Sequence, residues 1–492
     1  MDDASAGLGE RIAAVLALDP SAPAFEFAGR WRSWGELAAS VDSVAAQLPR
    51  AGMRIGVLLR NRPAAVGFVL GALRAGACVV AIDPGRGAER VRREIAALGL
   101  ACLAGEPEDL AALAGDEVAA LRLSARDVGA AVDVRGAAPD GPSIRPGVAV
   151  QMLTSGTTGP PKRIDLRYEM LARSLVGAKH YESKRDGELR LRSGVAVINS
   201  PLVHVAGLFR VLQCVTDGRS FALLERFTVE SWLDAVRRHR PATSSLVPAA
   251  LRMVLEADVD PADLRSLRSI VSGTAPLSAA DADAFFAKYG IPVLASYGAT
   301  EFGGGVAGWN LADHQRFWVS KRGSVGRAHP GCELRVVDAE SGAVLGADAE
   351  GLLEVKAAQL GDAGWVRTTD LARIDADGFL FILGRADQVI IRGGFKVRPD
   401  DVRVALEKHP RVRGAAVVSR PDARLGAVPV AAVELRSGSA PVTPQDLLAH
   451  ASASLSRYEL PAEIRIVDAL PRTASAKVDL AAVSALFAGA GA

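Results

Sequence analysis

The chain has 492 residues, of which 58 are basic and 56 are acidic, so its formal net charge is only +2. A chain of this length exceeds one ordinary hydrophobic core, and two or more domains are expected. The near-neutral charge gives no global field that would favour nucleic acid or an anionic membrane, so any anion site must be local.

Cysteine usage and the N-terminus bear on compartment and targeting. Four cysteines are scattered without a CxxC pair or metal-ligand spacing: Cys78, Cys102, Cys214 and Cys332. We therefore expect a reduced, cytoplasmic protein without structural zinc. The N-terminus fits neither a signal peptide nor a transit peptide. The longest apolar stretch, 66–82, is interrupted by Arg74 and by glycines, which predicts a buried helix followed by a strand instead of a membrane span.

The first hundred residues alternate between helical and extended patterns. Two helical patterns between Ile12 and Leu48 flank a hairpin-like segment at 25–31. The next predicted elements are a strand at 54–59, a helix at 63–74, a strand at 77–82, a helix at 89–98 and a strand at 101–104. This alternation predicts an α/β fold with parallel strands.

The alternation of strands and helices continues beyond residue 190 and changes after Gly323. Further strands are predicted at 195–200, 220–224, 243–247, 269–272 and 293–297, and helices at 208–215 and 229–238. They again indicate parallel sheets flanked by helices. After Gly323, short strands at 333–338 and 351–356 predict a small barrel-like subdomain.

The C-terminal hundred residues have a compact α+β pattern of their own. Strands are predicted at 389–391, 412–419 and 428–435, and helices at 399–408 and 444–455. We therefore predict a large N-terminal domain, 1–386, and a smaller C-terminal domain, 387–492.

One polar stretch follows the apolar run 148–153 and reads Thr154-Ser155-Gly156-Thr157-Thr158-Gly159-Pro160-Pro161-Lys162. Small residues let backbone N–H groups approach an anion, hydroxyls donate further hydrogen bonds, and the lysine adds positive charge. This composition predicts a phosphate cradle. It is not the P-loop of NTPases, because the second glycine does not precede the lysine and no Ser or Thr follows it. A polar surface turn is the alternative.

A second motif, Tyr297-Gly298-Ala299-Thr300-Glu301, follows a predicted strand. It therefore lies at the carboxyl edge of a sheet, where α/β proteins bind ligands. An aromatic face for a base, a hydroxyl for a phosphate and a carboxylate for Mg²⁺ make a coherent set. The alternative is a strand-end turn with a solvated carboxylate.

A third group of residues lies between 364 and 403. Asp370 follows a turn, and its two carboxylate oxygens could accept both ribose hydroxyls. Fourteen residues later comes Gly384-Arg385-Ala386-Asp387, and then Gly393-Gly394-Phe395-Lys396-Val397. Charged turn residues are usually just solvated, so the spacing of the set argues for function. The segment is also basic, through Arg392, Lys396, Arg398 and Arg403, which indicates either a solvated helix face or a site for phosphate groups.

Together these motifs resemble the adenylate-forming superfamily of acyl-CoA synthetases, aryl-CoA ligases, luciferases and adenylation domains of nonribosomal peptide synthetases, and most closely a bacterial-type acyl- or aryl-CoA ligase. Pro471-Arg472-Thr473-Ala474-Ser475-Ala476-Lys477 is similar to the family's last motif. Supporting matches are Gly323-Ser324-Val325-Gly326-Arg327 and Ser272-Gly273-Thr274-Ala275-Pro276. Six motifs occur in the family's order between Trp34 and Lys477.

The resemblance implies roles for the nucleotide site. Residues 154–162 would hold the phosphates of ATP, with Gly273, Thr274, Ala275 and Gly298 lining the adenine and acyl pockets. Tyr297 would pack on adenine, Thr300 would touch the α-phosphate and Glu301 would help to hold Mg²⁺. Asp370 and Arg385 would contact the ribose.

The resemblance also implies a mobile C-terminal domain. Asp387 would be the hinge about which this domain turns between the two halves of the reaction. Lys477 would contact the acyl carboxylate and the α-phosphate during adenylation, where a cation neutralises developing charge. Gly393, Gly394 and Lys396 would replace it in the second half. Three positions depart from the family pattern, which usually has glycine at 369, glutamate at 403 and glycine at 476: Thr369, Arg403 and Ala476.

The acid substrate is less defined. Amino-acid-activating relatives carry an acidic residue near the start of the segment that corresponds to 201–207, because a buried ammonium needs a partner. Val203 and His204 stand there instead, which favours an acid without an α-amino group. His204 would act near the acyl site, or it fills a loop. Gly303-Gly304-Gly305 would leave room for a ring or a longer chain, or it forms a flexible loop.

We therefore expect a two-step reaction in which ATP and a carboxylic acid give an acyl-adenylate and pyrophosphate, after which a thiol displaces AMP. Aryl acids and medium-chain fatty acids both remain open, with an acid pocket formed by His204, Val205, Ser296, Gly298, Gly303 and Gly304. The expected partners are ATP, Mg²⁺ and coenzyme A, in a monomer or homodimer. The alternatives are a stand-alone enzyme that loads a carrier protein's phosphopantetheine, and a nucleotide-binding homologue that has lost catalysis.

Overall fold

The computed structural model describes residues 7–48, 50–115, 121–138, 144–153, 162–177, 189–436, 438, 441–473 and 477–488. The chain divides into two compact units. The first comprises the described residues of 1–154, 161–333 and 356–364, and the second those of 334–355 and 365–492. The domain boundary expected between 386 and 387 stays a prediction. Within the described ranges, every helix is too short or too polar to span a membrane.

The first unit begins with α/β alternation. Its elements up to residue 177 are α1 (Leu8–Leu16), β1 (Pro23–Phe27), β2 (Arg30–Ser33), α2 (Trp34–Ala46), β3 (Arg54–Leu58), α3 (Pro63–Arg74), β4 (Cys78–Ile82), α4 (Ala88–Leu98), β5 (Cys102–Gly105), α5 (Pro107–Leu113), β6 (Leu121–Ser124), β7 (Asp133–Arg135), β8 (Val148–Leu153), β9 (Arg163–Arg167) and α6 (Tyr168–Gly177).

The remaining elements of this unit continue the alternation. They are β10 (Arg192–Ile198), α7 (Val205–Thr216), β11 (Arg219–Leu223), α8 (Val229–His239), β12 (Thr243–Ser245), α9 (Pro248–Glu256), β13 (Ser269–Ser272), α10 (Ala279–Tyr289), β14 (Val293–Ala299), β15 (Gly304–Gly308), α11 (Leu311–Phe317) and β16 (Arg327–Ala328).

Three sheets carry the first unit. The largest has the strand order β7-β6-β5-β3-β4-β8-β9, with parallel pairs in the centre and antiparallel pairs at both edges. The second has the order β10-β11-β1-β2 and the third β12-β13-β14-β15-β16. In the third sheet β12, β13 and β14 are parallel, while β15 returns antiparallel to β14. The predicted α/β class with parallel sheets is confirmed.

Burial explains why the apolar stretch at 66–82 is not a membrane segment. Pro63 stands in the first turn of α3, where its missing N–H needs no partner. Every residue of α3 from Pro63 to Leu73 is buried, and every residue of β4 is buried as well. A helix that is apolar on all sides belongs in the core of a large domain. The predicted buried helix followed by a strand is therefore confirmed.

The second unit consists mainly of strands. Its elements are β17 (Cys332–Val337), β18 (Gly351–Ala357), β19 (Val366–Ile374), β20 (Leu380–Arg385), β21 (Ile390–Arg392), β22 (Phe395–Val397), α12 (Pro399–Glu407), β23 (Val412–Asp422), β24 (Gly426–Leu435), α13 (Pro444–Ser452), β25 (Glu463–Val467) and α14 (Leu480–Leu486).

Two sheets organise these strands. The strand-rich subdomain predicted after Gly323 is a four-stranded sheet with the order β17-β18-β19-β20. The α+β part has the order β22-β21-β24-β23, and β25 pairs in parallel with β24. Buried apolar residues of α12, α13 and these strands form one core, among them Val402, Leu406, Val433 and Leu447.

Candidate active site

The glycine-rich stretch connects two antiparallel strands. Leu153 at the end of β8 pairs with Arg163 at the start of β9. The predicted phosphate-binding residues Thr154, Ser155, Gly156, Thr157, Thr158 and Gly159 lie outside the described residues. Lys162 is exposed and directly precedes β9. The stretch is therefore the connection of a hairpin, unlike the strand-to-helix loop of the P-loop NTPases.

The return strand β9 is fixed by a half-buried ion pair. Arg163 donates to Glu94 and, at 3.1 Å, to the carbonyl oxygen of Ala81. Arg86 reaches the same glutamate at 3.3 Å. Burial lowers the pKa of Arg163, and Glu94 opposes that effect. These contacts hold the chain immediately after Lys162 against β4 and α4.

The motif at 297–301 lies where the sequence predicts, at the carboxyl edge of a sheet. Tyr297 is half-buried near the end of β14, and Thr300 opens a 3₁₀ turn, Thr300–Phe302. Phe302 is buried at 2% exposure and anchors this turn, which leaves Glu301 exposed. The turn contacts β9. The structure therefore brings the turn that carries Thr300 and Glu301 to the strand that leaves the glycine-rich stretch.

Gly298 is required by a close approach of two backbones. It pairs with Gly305 across β14 and β15, and a Cβ at 298 would lie 2.5 Å from the carbonyl oxygen of Gly304. Real Cβ atoms essentially never come so close to a backbone atom. The motif therefore needs glycine here for packing, whatever its further role.

The predicted residues Gly273, Thr274 and Ala275 follow the neighbouring parallel strand. Ser272 at the end of β13 pairs with Ala295 of β14, so both motifs emerge at one sheet edge. A Cβ at Gly273 would lie 3.0 Å from the carbonyl oxygen of Ser296. Thr274 has φ = +70°, a left-handed conformation that is strained for a residue other than glycine and is found at ligand sites.

The segment around His204 corrects one predicted boundary. The helix expected at 208–215 begins at Val205, with His204 as its N-cap residue. Gly207, which the expected bounds leave outside the helix, lies in the first turn of α7. A Cβ there would lie 2.2 Å from the carbonyl oxygen of Pro201. Glycine therefore permits close approach of the preceding segment instead of interrupting the helix.

A buried asparagine fixes that preceding segment. The Asn61 side-chain amide donates to the carbonyl oxygens of Ser200 and Leu224, both at 3.0 Å, and its carbonyl accepts from the Leu202 backbone N–H at 2.7 Å. Asn61 is only 6% exposed. One side chain thus makes three hydrogen bonds, two of which fix Ser200 and Leu202, just before His204. Asn61 was not among the residues predicted from the sequence.

Two of the three glycines that follow Phe302 form part of a strand. Gly303 ends the 3₁₀ turn with φ = +63°, and Gly304 and Gly305 lie in β15, paired with Ala299 and Gly298. The structure therefore contradicts the alternative of a flexible loop at 304 and 305. Both α6 and α7 contact this region, with α7 against β15.

Side chains from four other elements approach these glycines. A Cβ at Gly303 would meet the Met170 sulfur at 2.5 Å, and one at Gly304 would lie 3.8 Å from Ser174 Oγ and 4.0 Å from Phe209 Cε2. A Cβ at Gly305 would lie 3.3 Å from Ser296 Oγ and 3.5 Å from His329 Nε2. Of these five residues the sequence indicated only Ser296, because no local pattern marks the others: Met170, Ser174, Phe209 and His329.

In the second unit, two residues that the sequence analysis singled out lie opposite each other on the paired strands of one hairpin. Asp370 in β19 is the register partner of Arg385 in β20. The Arg385 guanidinium donates twice to Asp387, at 2.9 and 2.7 Å. The three residues singled out between 370 and 387 therefore lie together at one end of this sheet. Thr369 lies in β19 without positive φ, so this departure from glycine causes no backbone strain.

The turn at Gly393 and Gly394 has a clear structural reason. Both residues have positive φ, +56° and +87°, in a two-residue hairpin between β21 and β22. Such turns favour glycine at both central positions. Lys396, two residues on, is exposed. A part in coenzyme A binding stays a prediction for these three residues.

The arginines near this hairpin bind groups of the same unit. Arg392 donates to two backbone carbonyls at 2.8 Å, and Arg398 pairs with Glu350 at 2.5 Å. Arg403 pairs with Asp400 at 2.9 Å and Glu407 at 2.7 Å, one turn away on either side in α12. These ion pairs hold the pKa of Arg403 high against its burial. The departure at 403 is thus accommodated by local acids.

Lys477 lies on the returning side of a short hairpin. Its carbonyl oxygen accepts from the Thr473 backbone N–H at 2.8 Å, and Arg472 bridges to Val478. The residues between, including Ala476, lie outside the described residues. Lys477 itself is half-buried.

The acidic residues available for Mg²⁺ are few. Among the described residues, no group of three or more His, Cys, Asp or Glu side chains could hold a metal ion. Mg²⁺ beside a nucleotide needs no such cage, because one or two carboxylates together with substrate phosphates and water complete its shell. The exposed carboxylate of Glu301 fits that kind of site.

The four cysteines are free. Cys78, Cys102 and Cys214 are buried. Burial raises the pKa of the Cys78 thiol to about 12, and it raises that of Cys102 as well. Thiols in this state are poor nucleophiles at neutral pH, in agreement with a reaction that needs no cysteine.

Comparison with known proteins identifies the family. The family model "AMP-binding enzyme" matches residues 12–362, and "AMP-binding enzyme C-terminal domain" matches residues 402–477. The chain is 30% identical over 504 residues to indoleacetate–CoA ligase of Aromatoleum aromaticum (strain DSM 19018 / LMG 30748 / EbN1), covering 96% of each protein. It is 28% identical over 490 residues to 4-coumarate–CoA ligase 3 of Oryza sativa subsp. japonica, covering 92% of this chain and 86% of that one.

The fold agrees with these matches. ATP-bound MatB from Rhodopseudomonas palustris superimposes with a TM-score of 0.83 at 26% identity, covering 99% of both chains. ATP, Mg²⁺ and coenzyme A are the cofactors with which adenylate-forming CoA ligases work, so the predicted set is confirmed at the level of the family. The chain therefore belongs to the family of AMP-binding enzymes, and it is an AMP-forming ligase of the adenylate-forming kind, as its motifs predicted.

Proposed function

We propose that this chain is an ATP-dependent ligase that converts an aryl carboxylic acid into its adenylate and then into its coenzyme A thioester. The observation that carries the proposal is the contact between the turn that follows β14 and β9, a strand of the neighbouring sheet. Thr300 and Glu301 lie there on a turn that contacts the strand leaving the glycine-rich stretch. A hydroxyl, a carboxylate and a lysine near one phosphate-sized group are suited to nucleotidyl transfer.

In the first step, a carboxylate oxygen of the acid attacks the α-phosphorus of ATP. The bond from that phosphorus to the bridging oxygen breaks, and pyrophosphate leaves. We assign the α-phosphate to Thr300 and the leaving phosphates to Lys162 and its loop. Glu301 would hold Mg²⁺, which supplies positive charge to the phosphates.

We assign the remaining nucleotide contacts as the family resemblance implies. Tyr297 would pack on adenine, while Asp370 would accept hydrogen bonds from the ribose hydroxyls with Arg385 beside it. Lys477 would contact the acyl carboxylate and the α-phosphate as charge develops. In the second step the thiol sulfur attacks the acyl carbon, the bond to the AMP oxygen breaks, and AMP leaves.

An aryl acid is supported by two observations. The names of the relatives, indoleacetate–CoA ligase and 4-coumarate–CoA ligase, are those of enzymes for ring-bearing acids. Residues 201–207 carry no acidic side chain for an α-ammonium group.

The test is ATP–pyrophosphate exchange across a panel of aryl, medium-chain fatty and amino acids, followed by detection of the thioester with coenzyme A. We expect exchange with aryl acids and formation of their CoA thioesters. Glu301→Gln should abolish most exchange, while Glu340→Gln, which changes an exposed turn residue, should leave it intact.

Other outcomes would change the proposal. Exchange confined to medium-chain acids would overturn the aryl assignment. Exchange without a CoA thioester would indicate that the acyl group is loaded onto a carrier protein. A carrier protein with a phosphopantetheine arm should then replace coenzyme A as the acceptor in the assay. Failure of exchange with every acid would contradict the proposed activity.

A further inference from the structure

One acidic side chain is buried on the apolar face of a strand in the second unit. Glu434 lies near the end of β24 and is 2% exposed. Side chains at every second position of a strand share a face, so Glu434 follows Val428, Val430 and Ala432, which are buried in one apolar core. A carboxylate in such a place costs free energy unless it is paired and hydrogen-bonded. Its partners therefore show what it holds.

One oxygen of this carboxylate is bound by the neighbouring strand. Arg413 of β23 donates to Glu434 Oε1 at 2.6 Å. The two strands pair at this point, with Gly414 opposite Glu434. The charge-assisted bond offsets the burial of the negative charge within the sheet itself. The second oxygen, Oε2, binds a different part of the chain.

Oε2 holds the segment that leads to Lys477. It accepts a hydrogen bond from the Leu470 backbone N–H at 3.0 Å, and a guanidinium nitrogen of Arg472 lies 3.8 Å from it. Leu470 is itself buried, at 4% exposure. A charged acceptor binds a backbone N–H more strongly than a neutral one does. Glu434 therefore fixes the chain shortly before Lys477.

A short hairpin transmits this anchoring to Lys477. We call the described residues of 470–479 the lysine hairpin. Arg472 forms a bridge with Val478, and the Thr473 N–H donates to the carbonyl oxygen of Lys477 at 2.8 Å. Because the two arms are joined by these backbone bonds, a shift of Arg472 also moves Lys477.

The other arm of the lysine hairpin has its own anchor. Asp479 accepts hydrogen bonds from the backbone N–H groups of Ala481 and Ala482, at 3.1 and 3.0 Å, and so caps α14. Val483 and Phe487 of this helix are buried in the same core as Leu470. The hairpin is thus held on both arms, and Glu434 supplies a charged anchor for the first of them.

We propose that Glu434 is a positioning residue for Lys477. By holding Leu470 and Arg472, it sets the place that the lysine ammonium takes beside the acyl carboxylate and the α-phosphate during adenylation. This inference rests on the proposed function, which assigns Lys477 to that step. A misplacement of about 1 Å is enough to slow an oriented reaction strongly.

Two substitutions at this position remove the contacts in stages. Glu434→Gln keeps a carbonyl oxygen for the Leu470 N–H but loses the charge that binds two arginines, whereas Glu434→Leu removes every polar contact. Single-turnover adenylate formation should slow by about 5-fold in the glutamine variant and by about 30-fold in the leucine variant. Thioester formation from supplied acyl-adenylate should stay within about twofold of the wild-type rate, because Lys477 acts only in the first half.

A double mutant tests whether Glu434 acts through Lys477. In Lys477→Ala the ammonium group is absent, so its position no longer matters. Adding Glu434→Gln to this variant should therefore slow adenylate formation by less than about twofold further. Two independent roles would instead give the full effect of Glu434→Gln again.

Glu354→Gln is the matched control. Glu354 lies in β18 of the same unit, is 5% exposed, and pairs with Arg335 at 2.7 Å and with Arg367 at 2.9 Å. Its substitution also removes a buried charge between two arginines, and it should leave the ratio of the two half-reaction rates unchanged. Thermal unfolding checks that each variant is folded. If Glu434→Leu does not fold, Glu434→Gln and the double mutant decide.

The results distinguish this inference from the proposed function. Equal slowing of both half-reactions by Glu434→Gln, wild-type rates in that variant, or an undiminished effect in the Lys477→Ala background would overturn the role of Glu434 and leave the proposed function standing. Failure of the wild-type enzyme to exchange with any acid would overturn the proposed function and this inference together.

Discussion

Asp370 and Arg385 face each other across two antiparallel strands, β19 and β20. Gly384, which precedes the arginine, lies fourteen positions after Asp370. The hairpin formed by the two strands makes Asp370 and Arg385 direct neighbours. Arg385 also reaches Asp387 with two hydrogen bonds. Backbone pairing therefore holds Asp370 beside Arg385, and Arg385 binds Asp387, the predicted hinge residue.

Asp370→Ala should raise the KM for ATP by about 10-fold or more, because two hydrogen bonds to ribose hydroxyls would be lost. The KM for the acid should change by less than about twofold, since the proposed contact of this carboxylate is with the nucleotide only. Steady-state exchange kinetics with each substrate varied in turn measures both. Asp377→Ala, which changes an exposed carboxylate in the turn of the same hairpin, is the matched control. A rise in both KM values would contradict the assignment.

Lys477→Ala should slow adenylate formation by about 100-fold or more, near 2.7 kcal/mol, while sparing thioester formation from supplied acyl-adenylate. The reason is that the cation would neutralise charge only in the first half of the reaction. Single-turnover assays of each half measure the two effects, with Lys408→Ala, at an exposed position after α12, as control. Equal loss in both halves would refute the role of Lys477.

Local patterns predicted much of the fold. The helix at 63–74 was predicted with the bounds that α3 has, because Pro63 marks its start and the following strand is uniformly apolar. The return strand β9 was missed, although Arg163 to Arg167 alternates polar and apolar residues. The short strand is recognised only through its pairing with β8.

Contacts between elements that are distant along the chain could not be predicted from the sequence. Nothing near Ser174 distinguishes it from any serine in a helix, and its place near Gly304 follows from the packing of α6 beside β15. The same holds for Asn61, whose hydrogen bonds reach residues more than a hundred positions away. The motif residues could be identified from their order along the chain, whereas the side chains that pack around them could not.

Asp387→Pro should mainly slow the second half of the reaction, since a fixed φ would hinder rotation about this position. The substitution also removes the ion pair with Arg385. Asp387→Ala removes the pair without fixing φ, and it therefore isolates the backbone effect. We expect thioester formation from supplied adenylate to fall more in the proline variant than in the alanine variant. Equal rates in the two variants would argue against a hinge at 387.

Gly298→Ala should destabilise the first unit by about 1–3 kcal/mol, because its Cβ would lie 2.5 Å from the carbonyl oxygen of Gly304 and 2.9 Å from the Cα of Gly305. Backbone atoms of a paired strand cannot move away cheaply. Urea unfolding measures the effect. Gly346→Ala is the matched control, since a Cβ there meets no atom within 4 Å, and it should change stability by less than about 0.5 kcal/mol. An equally small effect at 298 would show that the strands can separate.

Stability should decrease as pH falls below neutrality, through His314. This imidazole is 7% exposed and stacks on Trp318 with ring centroids 4.9 Å apart. Burial lowers the pKa of His314, while Asp283 opposes that effect. The unfolded chain therefore binds a proton near the ordinary pKa of about 6.5, whereas the folded chain resists it until lower pH. More protons bound in the unfolded state mean that the free energy of unfolding rises with pH across this window.

His314→Phe keeps an aromatic ring in the stack and removes the titrating group. Its urea midpoint should depend less on pH between about 5 and 7.5 than that of the wild-type protein, when the transition of the first unit is followed by tryptophan fluorescence. If both proteins lost stability in parallel over this range, protonation of His314 would not be the cause, and the loss would have to come from other groups.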